Sequence, residues 1–79
     1  MKKLTFSVGR EFLVIEIKGK EAWMESRKTG RQKLLPPPNG QFDSERAKTD
    51  YEACKTEEEI AENLILDMQM NGGKLLKND

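Results

Sequence analysis

The sequence predicts an α+β fold: a four-stranded antiparallel β-meander with one C-terminal α-helix packed on one face. Three observations carry this. The stretch from Glu11 to Lys18, Glu-Phe-Leu-Val-Ile-Glu-Ile-Lys, is the only continuous apolar run with β-branched and aromatic residues throughout, which marks the most buried strand. Gly9, Gly19 and Gly30 divide residues 1–35 into short segments whose apolar positions share a face once hairpins close there. Residues 56–71 instead carry helical periodicity between a capping signal and a glycine pair.

In the first segment Leu4, Phe6 and Val8 alternate with Thr5 and Ser7, the pattern of a half-buried strand. Gly9-Arg10 suits a type II′ turn, because glycine supplies the positive φ of its first central position. That turn sets Val8 against Glu11, Phe6 against Leu13 and Leu4 against Ile15. A second turn at Gly19-Lys20 sets Ile17 against Ala22, Ile15 against Met24 and Leu13 against Ser26. A third, the loop Lys28-Thr29-Gly30, sets Met24 against Leu34 and Glu25 against Lys33, an opposite-charge pair.

Pro36-Pro37-Pro38-Asn39-Gly40 ends the sheet, since proline cannot donate to a ladder, and opens a connection over residues 36–55. Two readings compete for residues 41–55: a short second helix capped by Asp43 or Ser44 and running through Ala53, which we prefer, and a short strand around Tyr51. Thr56 with Glu59 then forms a capping box, and Glu57 to Glu59 place negative charge at the positive end of the helix dipole. Ile60, Ala61, Leu64, Ile65 and Met68 make one stripe for the sheet. Residues 72–79 read as a tail that packs back or frays. The expected core is Leu4, Phe6, Val8, Leu13, Ile15, Ile17, Ala22, Met24, Leu34, Ile60, Leu64, Ile65 and Met68.

Residues 1–79 are read as a single domain near the lower size limit for unaided folding. One cysteine, Cys54, allows no intrachain disulfide and suggests a reducing, cytoplasmic setting. The apolar residues after Lys2-Lys3 alternate and stop at Gly9, unlike a signal peptide, and no run approaches the ~18 apolar residues of a membrane span. The net charge of zero hides a division. Residues 1–35 carry nine Lys/Arg against four Asp/Glu, and residues 36–79 five against ten, so the halves stand at +5 and −5. Such polarity either orients a partner or holds a basic sheet against an acidic helix.

The chain has no histidine, and Cys54 has neither a histidine to activate it nor a second cysteine, so we expect no enzyme, metal or cofactor. Three surface features remain. On the outer sheet face Phe12, Val14, Trp23 and Leu35 lie together, with Arg27 opposite Phe12 and Arg31 beside it, which is the make-up of a protein-binding patch. Alternatively residues 36–55, with Phe42 and Tyr51, fold across and bury it. The basic hairpin tip Arg27, Lys28, Arg31 and Lys33 is a candidate nucleic-acid contact. Leu66 and Met70, four residues apart and off the core stripe, form either a dimer seam or a seat for the tail. The functional expectation is a small protein-binding module, monomer or homodimer: an adaptor or inhibitor, of the sort common among phage and mobile elements, that occupies a partner's surface. The alternative is a nucleic-acid-binding regulator using residues 27–33.

Overall fold

Leu4, Phe6, Ile15, Ile17 and Ala22 are fully buried in the computed structural model, which describes all residues 1–79, and all five project from one side of the sheet. The strands are β1 (Lys2–Val8), β2 (Glu11–Lys18), β3 (Glu21–Ser26) and β4 (Gly30–Leu35). Pairing of β1 with β2 and of β2 with β3 follows the expected registers, including Phe6 with Leu13, Ile15 with Met24 and Ile17 with Ala22. Gly9 and Gly19 both take φ +61°, as the tight turns demand.

Two expectations need correction. The sheet has five strands: residues Gly73–Asn78, read as a tail, form β5, which pairs antiparallel with β1 and gives the order β4-β3-β2-β1-β5. Their alternation is obscured by a bulge, since Leu75 pairs with Phe6 but Lys77, not Leu76, pairs with Thr5. The third hairpin also turns one residue earlier than expected. The Ser26 hydroxyl accepts a hydrogen bond from the Thr29 amide (3.0 Å) and lies 2.6 Å from the Thr29 hydroxyl. Ser26 therefore pairs with Gly30 and the loop is Arg27-Lys28-Thr29. Met24 consequently faces Gln32, Glu25 faces Arg31 and Trp23 faces Lys33, in place of Leu34, Lys33 and Leu35.

Two helices follow the sheet. A 3₁₀ turn, Pro38–Gly40, leads to α1 (Glu45–Ala53), whose cap Ser44 accepts from the Ala47 amide (3.0 Å), so the helical reading of this segment holds. Helix α2 (Glu57–Met70) starts on the expected box: Thr56 accepts from the Glu59 amide (3.1 Å), while the Glu59 carboxylate accepts from the Lys55 amide (3.1 Å). It lies over β1, β2 and β5 and contributes buried Ile60, Ala61 and Leu64. Cys54 and Ala61 join the core; Leu13, Met24, Leu34, Leu35, Ile65, Met68 and Leu75 pack around it half-buried. Val8 is half-buried outside that cluster.

Charge ties the acidic helix start to the sheet. The Gly19 amide donates to the Glu57 carboxylate (2.7 Å), the Met1 amino group lies 3.4 Å from it, and Lys2 pairs with Glu58 (2.9 Å). The Gly19 hydrogen bond, followed by the amino group, holds the Glu57 carboxyl below the usual carboxylate range. A carboxyl acidified by folding adds stability above its unfolded pKa and loses it as pH falls through the folded value. The melting-temperature difference between the wild type and Glu57→Gln should therefore be present at neutral pH and shrink in acid. A difference persisting unchanged into strong acid would refute this account.

Candidate functional site

Both helices sit on the inner side of the sheet, so nothing covers its outer face. Phe42 and Tyr51, the residues that could have closed over it, are on the helix side instead. Their rings meet at a tilt of 42° with centres 5.4 Å apart, and they line a groove with Ile60 and Leu64. Tyr51 is fixed to the second turn: its hydroxyl donates to the Lys20 carbonyl (2.7 Å), and the Lys20 ammonium donates to the Tyr51 carbonyl (3.0 Å) and lies 4.4 Å from the ring centre. Partial burial pushes the Tyr51 hydroxyl above its ordinary pKa.

On the open face, strand alternation places Phe12, Val14 and Glu16 of β2 beside Trp23 and Glu25 of β3 and Arg31 and Lys33 of β4. Phe12 is 65% exposed, while Val14 and Trp23 are half-buried. The Arg31 guanidinium lies over the Trp23 ring at 5.1 Å and the Lys33 ammonium at 5.8 Å. Arg31 also binds Glu16 at 2.7 Å, and this hydrogen bond is the main reason the Glu16 carboxyl is held below its usual range. The indole is thus held beneath two cations anchored by carboxylates, Lys33 reaching Glu21 at 3.5 Å.

Leu35 does not belong to this face. A bulge between Ala22 and Trp23 lets Leu35 pair with Ala22, on the core side, and both Leu34 and Leu35 pack against the core. Successive strand residues normally point to opposite faces, and only the extra residue allows both leucines inward. The hairpin-tip cations also divide. Arg31 and Lys33 are committed to Glu16 and Glu21, leaving Arg27 and Lys28 exposed without an ion-pair partner. A phosphate-binding surface would rest on those two residues.

The feature least visible in the sequence is a groove of about 570 Å³ on the inner side, bounded by β4, the proline-led connection, α1 and the C-terminal half of α2. It exists because α2 lies over β1, β2 and β5 and leaves the inner side of β4 to a thinner cover. Leu66 (58% exposed) and Met70 (84% exposed) stand at its edge, and β5 does not cover them. Cys54 lies in the groove wall, 5% exposed; its thiol donates to the Asp50 carbonyl (3.2 Å) and accepts from the Asn63 side-chain amide (3.0 Å). Burial raises the thiol pKa, so Cys54 is not an activated nucleophile.

The class these features define is a small α+β domain with one open sheet face and one open groove. Comparison with protein-family models, with curated proteins and with solved structures finds no match. No helix is long and apolar enough to cross a membrane, and no three Cys, Asp or Glu side chains converge as a metal site.

Proposed function

We propose that this protein is a small binding module, an adaptor or inhibitor, that acts by docking the outer face of its sheet on a partner protein. The observation that carries this reading is the uncovered face on which Phe12 projects into solvent at one end and Trp23, opposite Glu16 further along β2, is braced by Arg31. Aromatic side chains and arginine dominate interface energetics, and a braced indole loses little freedom on docking. The one cysteine, Cys54, is buried and hydrogen-bonded to the Asp50 carbonyl and the Asn63 amide, which favours recognition over thiol chemistry. A nucleic-acid contact is the weaker alternative, because half of the proposed phosphate-binding cations already hold carboxylates.

The test is affinity capture from the native host, followed by mass spectrometry, with wild type, Phe12→Ser and Trp23→Ala. Both variants should fold and lose the partner recovered by the wild type, and Trp23 emission should shift to the blue when that partner is added. Recovery of the same partner by all three proteins would remove the outer face as the docking surface. Retention of a nucleic acid lost only on replacing Arg27 and Lys28 would favour the alternative.

A further inference from the structure

We propose that the groove between β4, α1 and α2 is a second docking surface, and that it receives a cationic, apolar-anchored helix of a partner protein. This rests on the protein-binding reading but not on the outer face. The groove encloses about 570 Å³. Its floor comes from half-buried Leu34 and Leu35, and its edge from Leu66 and Met70, whose four-residue spacing presents both to the same visitor. A helix laid beside α2 would roof the inner side of β4 and use the helix-in-groove mode of recognition.

Charge selects the occupant. Helix α2 carries five carboxylates, Glu57, Glu58, Glu59, Glu62 and Asp67, and no cationic side chain. The first three are engaged at the helix start by the sheet and the cap, and Glu62 lies off the groove, whereas Asp67 lines it and has no ion-pair partner. Asp43, on the groove wall, has none either. Of the two cations at the groove, Lys33 turns its ammonium to the outer face, over Trp23 and toward Glu21 at 3.5 Å, and Arg46 lies 3.9 Å from Asp50. An arriving lysine or arginine therefore finds two unpaired carboxylates, Asp43 and Asp67, while an arriving acid finds only Arg46, already beside Asp50. The same charges disfavour a second copy of this chain: two-fold pairing across Leu66 and Met70 would bring the acidic α2 helices together.

The probe is a labelled synthetic amphipathic helix with leucines on one face and lysines flanking them, titrated with the full chain in fluorescence anisotropy. Two control peptides replace the lysines by glutamate or the leucines by serine. The leucine–lysine peptide should bind, and each control should bind at least about tenfold more weakly. The double variant Leu66→Ser, Met70→Ser, both exposed and so compatible with folding, should weaken binding about tenfold or more. Asp67→Asn should weaken it about two- to fivefold, and Phe12→Ser should leave it unchanged. The proposal is overturned if no peptide binds, if the glutamate peptide binds equally well, or if the double variant binds like the wild type. Loss of binding in Phe12→Ser would return the peptide to the outer face. A dimer in sedimentation that the double variant dissolves would make a second copy the occupant. Partner capture by the outer face is scored separately with Phe12→Ser and Trp23→Ala, so either surface can fail alone.

Discussion

Phe6→Ala should lower the unfolding free energy by ~3–5 kcal/mol, whereas Phe12→Ala should change it by only about 0.5 kcal/mol. Both are phenylalanines on adjacent strands of one sheet, so propensity and chemistry cancel and only the face differs. Phe6 is fully buried, packs in the core, and pairs with Leu13 on one side and Leu75 on the other. Truncating it leaves a cavity where three strands meet. Phe12 is 65% exposed and removes little apolar surface from water on folding. Domains of this size hold only ~0.05–0.15 kcal/mol of stability per residue, so Phe6→Ala should leave the chain largely unfolded or close to it. Urea midpoints of the two variants check this directly. Equal losses would mean that the assignment of inner and outer faces is wrong.

What was legible in the sequence was what local chemistry decides. Gly9-Arg10 and Gly19-Lys20 permit few turns, and a two-residue turn determines every pair beyond it, so the registers of β1, β2 and β3 could be read from spacing. Thr56 and Glu59 announce the start of α2 for the same reason. Beyond the second turn the controlling groups were less obvious. The Ser26 hydroxyl closes the third turn early, and an unmarked bulge then brings Leu35 inward, removing one member of the expected outer patch. Strand β5 is hidden in the sequence because Gly72-Gly73 reads first as a helix stop, and because a bulge interrupts the alternation of six residues. Phe12, Val14 and Trp23 share the outer face as expected, since their register depends only on the first two turns. The groove was not legible, because it depends on where α2 lies across the sheet, and no residue pattern within the helix specifies that offset.

The glycine pair that hid β5 also yields the sharpest test of it. Gly72 and Gly73 do different work. Gly72 takes φ +87° with open space where a Cβ would stand, so Gly72→Ala should cost only the left-handed backbone strain, about 1–2 kcal/mol. Gly73 has no such φ, but a Cβ there would lie 2.9 Å from the Met68 carbonyl oxygen, which is backbone in the last turn of α2 and cannot swing aside. Gly73→Val must therefore push the start of β5 away from the helix end. Gly73 pairs with Val8, so the displacement begins at the first rung of the β1–β5 ladder, and Leu75 is the β5 side chain packed against the core. Loss of that packing adds to the overlap, and the expected cost is ~1–3 kcal/mol, as for other overpacked sites. Amide exchange should locate the damage: protection should fall along β5 while β2 and β3, paired through the intact second turn, keep theirs. A Gly73→Val protein with wild-type melting and a protected β5 would show that the strand does not approach α2 as closely as the 2.9 Å contact requires.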